Sequence, residues 1–474
     1  MIRWFKPNGW VTPAFAIVVA ITLIRWGLLA FDRTDLYVDE SQYWLWGQHF
    51  AFGYYSKPPL IAWLIGAITT LAGSDAPFWV RMPGAALHGA TALILAALAA
   101  RLYSAKTAVW VAAAYATLPM VALGSFTLST DTVMAPFFAA ALYFHRRLIE
   151  TTLTRFALAA GAMAGLGFMA KYAAVYFLIG VALAAILRRD HRLGLRQTAA
   201  MLLAFAAVIS PNVIWNLNNH LTTLAHTMDN IGWVRQGHPL AGLHLSGPLD
   251  FLASQFAVIG PLLFAALLIK LIKPQSEALI AFVYPPLVVV TLQSFLDQAY
   301  ANWALAAFFA GTILAVSALQ RWPVLLWLSL AVNGALSLAL PVIATMPTLA
   351  IGDRPILLRY MGRAAFSQQI IEIAKQNQIP AVLAGSREVL ADLFYTGRDS
   401  GLAFYAPRPQ GRALNHYEQT YPLPTNITGK LLVVAEQAPA CSLQAQPLNA
   451  AQTAYRNFAY SAFIVDAKCF NAAQ

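Results

Sequence analysis

Apolar and polar residues in this chain segregate into long blocks instead of alternating at short range. Eleven apolar runs lie near residues 12–31, 82–100, 107–123, 131–148, 154–170, 172–187, 198–215, 250–270, 278–295, 303–319 and 322–345, with short polar connections between them. A bilayer core about 30 Å thick needs about 20 apolar residues per helical crossing. The pattern therefore predicts a polytopic α-helical membrane protein of about eleven transmembrane helices. The stretch 154–187 reads as two helices broken at Lys171, since one long helix would export the cluster from Arg188 to Arg196.

Beyond residue 349 the pattern changes. Pro, Asn, Gln and Arg become common, and apolar runs shorten to strand length at Ala381–Ala384, Lys430–Ala435 and Ala462–Val465. Gln368–Lys375 keeps helical periodicity. Two domains are expected: a transmembrane domain over 1–349, with a first outer loop at 32–81, and a small α/β domain over 350–474.

Composition agrees with the membrane reading: 59% of residues are hydrophobic and 11% charged. A net charge of +11 would suggest nucleic acid in a soluble chain. Here the cations gather at helix ends, at Arg101 and Lys106, Arg146, Arg147 and Arg155, Arg188 to Arg196, Lys270 and Lys273, and Arg321. Keeping them inside with Arg3 and Lys6 places the N-terminus in the cytoplasm, and odd parity sends the tail to the periplasm. The expected location is a bacterial inner membrane, with no nucleic-acid partner. The first apolar run follows Arg3 and Lys6 as a signal peptide would, but it is long and lacks an Ala-x-Ala exit, so it reads as an uncleaved span. Cys441 and Cys469, the only cysteines, both fall in the tail, where export favours a disulfide over two buried thiols.

This topology puts the chemically suspicious residues on one side. The first outer loop holds Asp35, Asp39, Glu40, His49, Lys57 and Arg81; Asp131 and Lys171 stand at outer helix ends. The loop 216–249 adds His220, His226, Asp229, Arg235 and His238, and Asp297, Tyr300, Asn302 and Trp303 open the tenth run. Ionisable groups at membrane depth are costly and usually functional, so their convergence argues for one outer cavity.

Taken in order, Asp39-Glu40 with Tyr43-Trp44, Lys57-Pro58-Pro59, Thr130-Asp131, Lys171-Tyr172, Pro211-Asn212 with Trp215-Asn216, and Ala301-Asn302-Trp303 resemble the motifs of bacterial glycosyltransferase family 39. These enzymes belong to the GT-C superfamily, which includes protein O-mannosyltransferases and the lipid A aminoarabinose and galacturonate transferases. The tail, with Asn415-His416-Tyr417, matches more loosely. The resemblance implies a GT-C fold, a polyprenyl-phosphate-linked sugar donor, and transfer of one sugar with inversion at the periplasmic face. The implied acceptor is lipid A or another glycolipid, with a protein hydroxyl as the alternative. Gln42 stands where the aminoarabinose enzymes carry an arginine, which points away from aminoarabinose.

Such a reaction needs a base for the acceptor hydroxyl, and Asp39 is the first choice, with Glu40 assisting or orienting it. The pair also suits the first turn of a helix over Ser41–Phe50, and the two roles are compatible. Asp131 suits either acceptor positioning or a cap on the fourth span. The leaving lipid phosphate needs cations, and Lys57 and Lys171 are the candidates, with Arg81 and Arg235 behind them. A snorkelling role is the alternative for Lys57. Tyr43, Tyr55, Asn302 and Trp303 are candidates for the substrate groove, although an aromatic belt accounts for most of the loop's rings. The outer histidines lack tight ligand spacing, so neither metal nor cofactor is expected. No glycine-rich phosphate loop appears, which fits a donor that is already lipid-linked. A transporter or flippase is the competing class, but it usually carries repeat symmetry, and none is evident here.

Overall fold

A computed structural model of the chain describes residues 9–230, 244–272, 278–297 and 299–471. Its contacts divide it into two compact units. The first comprises Met1–Ala30, Ala51–Ile61 and Arg81–Val342; the second comprises Phe31–Phe50, Ala62–Val80 and Ile343–Gln474.

The first unit is built from apolar helices, and each of the eleven runs corresponds to a helix or a helix pair. By length and composition four are long enough to cross a membrane alone: Val11–Ala30, Pro77–Leu102, Leu195–Asn218 and Pro323–Thr345. Ala105–Ala116 and Pro119–Phe126 form a fifth if their 53° bend is counted as one broken span. Proline at the first position of a helix cannot continue the preceding one, since it lacks an N–H and its ring meets the previous turn. That accounts for the bend at Pro119. The run 250–270 likewise becomes Gly247–Ile259 and Pro261–Ile272, separated at Gly260, whose φ of +90° suits glycine. The break at Lys171 is present, with Lys171 extended between Thr154–Ala170 and the turn Tyr172–Val175.

Two features hold these helices together. Thr154–Ala170 packs on Leu195–Asn218 so closely that a Cβ on Gly161 would strike the Met201 carbonyl, the small-residue packing that membrane helices favour. Arg25, buried in the first helix, donates to the Ala116 carbonyl at 2.7 Å, Ser337 Oγ at 2.6 Å and Ser125 Oγ at 3.2 Å. A buried guanidinium costs free energy unless its donors are used, and here it ties four helical segments.

The second unit is α/β. After a two-residue hairpin of β1 (Ala350–Ile351) and β2 (Arg354–Pro355), β3 (Ala381–Ala384), β4 (Ala403–Tyr405), β5 (Lys430–Ala435), β6 (Ser442–Pro447) and β7 (Ser461–Asp466) form a sheet of order β4-β3-β5-β7-β6. β3 runs parallel to β4 and β5; β7 is antiparallel to β5 and β6. The central strands are apolar on both faces, as buried strands are. Their core gathers Leu383, Leu431, Val433, Phe463 and Val465. The expected helix extends over Arg363–Gln376, and Cys441 and Cys469 are disulfide-bonded.

Candidate active site

Each unit carries its own part of the predicted chemistry. In the second unit, Val38–Gly47 forms a helix that starts three residues before the expected Ser41. Tyr37 lies extended at its N-cap, and its N–H donates to the Glu40 carboxylate at 3.0 Å, which satisfies one of the orphan donors of a helix start. Glu40 is buried and serves as a cap. Asp39, also in the first turn, does something else. Its Oδ1 accepts from Arg387 Nη2 at 2.5 Å, while Arg387 Nε donates to Gln42 Oε1 at 2.9 Å. The two side chains are 39% and 45% exposed for Arg387 and Asp39, so solvent-borne groups reach the pair.

Arg387 opens the helix Arg387–Thr396, capped by Ser386 Oγ. Partial burial works against its charge, but the charge and hydrogen bond of Asp39, with smaller help from Tyr417 and Tyr43, together raise the guanidinium above its ordinary pKa. The same helix is locked from below by Asp392, which accepts from Arg363 Nη1 at 3.0 Å and from the Tyr455 hydroxyl. Asp35 accepts the Arg363 backbone N–H at 2.8 Å. Burial pushes the Asp392 carboxyl up to about 7, against the pull of Arg363 and the Tyr455 hydrogen bond. Tyr43 is 4% exposed, packed at 5.5 Å on Trp46. Its ring packs within the helix, and its hydroxyl is near enough to Arg387 to act on the guanidinium charge.

In the first unit, Ser129 caps the helix Thr130–Thr151, so Asp131 is not its cap. Its two oxygens each accept from Lys171 Nζ at 2.7 Å, and Asn302 Nδ2 approaches at 3.3 Å. Lys171, expected to face a phosphate, is therefore held by a carboxylate. Both side chains are less than one-fifth exposed. Trp303, beside Asn302, packs edge-on against Tyr300.

A polar ladder fastens the segment that bears Lys57. The Tyr172 hydroxyl donates to Asn212 Oδ1 at 3.0 Å, and Asn212 Nδ2 donates to the Phe52 carbonyl at 2.7 Å. Thr223 Oγ1 donates to the Tyr54 carbonyl at 2.7 Å, and a Cβ on Gly53 would strike the Trp215 indole. Lys57 is half-buried in the turn that follows, with its carbonyl accepting from Tyr54 N–H. Tyr55 is buried edge-on to His226 at 5.1 Å. Arg81 is fully buried over the Phe126 ring at 5.2 Å, which is not the environment of a loop cation. Arg235 and His238 lie outside the described residues.

The Asp131 cluster adjoins an open cavity of about 760 Å³, whose lining includes Met120, Leu123, Val258, Phe309, Leu336 and Leu340 together with Ser129, Asp131, Thr132 and Asn302. His88, Tyr115, Ser254 and Tyr300 add further polar groups to a lining that is otherwise mostly apolar, which suits an amphiphile. Among the described residues no three His, Cys, Asp or Glu side chains are grouped to hold a metal ion.

Arg387 is the functional candidate that the sequence reading missed. One signal for it existed: Gln42, which stands where the aminoarabinose enzymes carry an arginine, is the residue that Arg387 Nε donates to.

Known proteins share this organisation. Residues 56–215 match the family described as dolichyl-phosphate-mannose-protein mannosyltransferase. Over 439 residues the chain is 40% identical to the lipid A galacturonosyltransferase RgtD of Rhizobium johnstonii, covering 90% of this chain and 92% of that protein. Among solved structures, ArnT from Cupriavidus metallidurans, both in the apo state and bound to undecaprenyl phosphate, has the same fold, with a TM-score of 0.65 at 13% identity over 96% of this chain and 98% of ArnT.

Proposed function

From the premise that this chain belongs to bacterial glycosyltransferase family 39 of the GT-C superfamily, and is a membrane glycosyltransferase, we propose that it moves one galacturonosyl residue from a polyprenyl-phosphate donor to lipid A. The sugar and acceptor follow the 40% identical relative, whose name states both. The observation that carries the donor is the mostly apolar cavity, which fits a long isoprenoid tail, with Lys171 bonded to the Asp131 of its lining as the cation for the phosphate.

The reaction is a single displacement. An acceptor hydroxyl attacks the anomeric carbon, its proton passes to Asp39, the bond from that carbon to the phosphate oxygen breaks, and polyprenyl phosphate leaves with the configuration inverted. Lys57 meets the charge that develops on the phosphate. The Asp131–Lys171–Asn302 cluster orients the donor's polar end. Arg387 takes the uronate carboxylate, a planar partner matched to a guanidinium fork. In doing so it releases Asp39, and a carboxylate freed from a cation is the stronger base. The transfer is assigned to the periplasmic face of the inner membrane, in keeping with the arginine-rich inner helix ends.

A protein hydroxyl is the second acceptor reading, favoured by the mannosyltransferase family match at 56–215. Mass spectrometry of lipid A and of exported proteins from a deletion strain separates the two. Loss of a galacturonic acid from lipid A supports the proposal; unchanged lipid A with a sugar missing from an exported protein refutes it.

A further inference from the structure

A second polar cavity, of about 190 Å³, lies at the arginine-rich end of the first unit's helices. It is lined by His145, Arg146, Arg188, Asp190 and His191, with Tyr103, Ala278 and leucine and phenylalanine side chains completing the wall. It shares no lining residue with the cavity beside Asp131. Its volume is roughly six times the ~30 Å³ that a water molecule takes in the liquid.

Two observations point to a ligand. His145 and His191 are 3% and 7% exposed, their rings 5.9 Å apart, and the buried Nε2 of the first and Nδ1 of the second have no hydrogen-bond partner. A buried polar atom left unpaired costs about 1–3 kcal/mol, so a partner from outside the chain would be stabilising at both. The charge around them sets the sign of that partner. Asp190 is the one carboxylate in the lining, and Arg188 holds it through Nε at 2.9 Å and Nη2 at 2.8 Å. Glu150, outside the lining, is shared by Arg101 at 3.1 Å, Arg146 at 3.0 Å and Arg147 at 3.5 Å. Three guanidiniums on one carboxylate leave a cationic excess, which opposes a metal ion and favours an anion. Neutral imidazoles can each present an N–H by choice of tautomer.

We propose that this cavity binds a phosphate group, with Arg146, Arg188, His145 and His191 as its donors. Its apolar wall admits the phosphodiester of an anionic phospholipid as readily as it borders a free phosphate, and basic pockets among membrane helices at such an end suit lipid headgroups.

The test uses delipidated full-length protein in detergent, with retained ligand read by native mass spectrometry and protection read by thermal unfolding. Its arms are phosphatidylglycerol, phosphatidylcholine and inorganic phosphate. Retention of phosphatidylglycerol above phosphatidylcholine, without protection by inorganic phosphate, assigns the site to a lipid headgroup. Protection by inorganic phosphate alone assigns it to a soluble phosphate. Arg188→Gln is expected to weaken retention by about tenfold, the size of one charge-assisted hydrogen bond. Asp190→Asn removes the one opposing charge and is expected to strengthen it, which keeps the test alive if Arg188→Gln fails to fold. Equal retention of both lipids with no phosphate protection, or retention unchanged in Asp190→Asn and in folded Arg188→Gln, overturns the proposal.

Discussion

Replacing Lys171 with methionine isolates what the Asp131–Lys171 pair does. Methionine keeps the length and much of the volume of the side chain while removing the ammonium. The Asp131 carboxylate, 10% exposed, then retains Asn302 as its remaining described donor, at 3.3 Å. Breaking one side of a buried pair costs about 3–5 kcal/mol, and the 18% exposure of Lys171 puts this pair at the lower end, about 3 kcal/mol. With an unfolding entropy of about 2.1 cal/mol/K per residue, a chain of 474 residues shifts by about 1 °C per kcal/mol, so the unfolding midpoint in detergent should drop by roughly 3 °C. The double variant Asp131→Asn/Lys171→Met removes both charges and should recover most of that loss, since replacing a whole buried pair is often nearly neutral. Transfer activity should not recover with it. If the cluster orients the donor's polar end, the double variant stays about a hundredfold or more below the natural chain. The assay pairs thermal unfolding with sugar transfer on the same preparations. An unshifted midpoint in Lys171→Met would refute the energetic reasoning, and a stable, fully active double variant would reduce the pair to a structural strut.

Asp39→Asn keeps the shape of the side chain but removes its basicity, so transfer should fall about a hundredfold or more with donor binding retained; near-normal turnover would leave Asp39 as a partner of Arg387 alone. Arg387→Gln should depress kcat/KM for a galacturonosyl donor by at least about tenfold more than for a galactosyl donor, and equal losses on the two would remove Arg387 from carboxylate recognition. Asp392 gives a pH signature. Its carboxyl is pushed up to about 7 in the folded state, against an ordinary value of about 4, so its contribution to stability is complete below about pH 4 and is lost as pH rises through about 7. Stability of the natural chain minus that of Asp392→Asn should therefore decline across that window, and parallel curves would contradict the buried-acid assignment.

How much of this was legible in the sequence depended on the range of the interaction. Apolar blocks found the membrane helices because burial in lipid needs only composition and length. They did not find the interruptions, since Gly260-Pro261 and Leu118-Pro119 alter backbone geometry without altering hydropathy. The helix Leu60–Ala72 was passed over in the first loop because 13 residues fall short of a span. Of the site, Asp131 and Lys171 were each singled out, for separate roles; that they bond each other across 40 positions is a tertiary fact. Arg387 lies 348 positions from Asp39, in the tail where the family resemblance is loosest. The aromatic residues of the first loop read as a groove or a belt; Tyr43 meets Trp46 as a local i,i+3 pair on its helix, whereas Tyr55 meets His226 across 171 positions, which no local pattern encodes.

The most direct test of the central claim is transfer by the purified chain in proteoliposomes, supplied with a radiolabelled galacturonosyl polyprenyl phosphate and lipid A. Label should move to lipid A, one sugar per acceptor and with inverted anomeric configuration, and almost none should move with Asp39→Asn. Label that stays on the donor while the folded protein is shown to bind it, or that passes to a protein hydroxyl and not to lipid A, would contradict it.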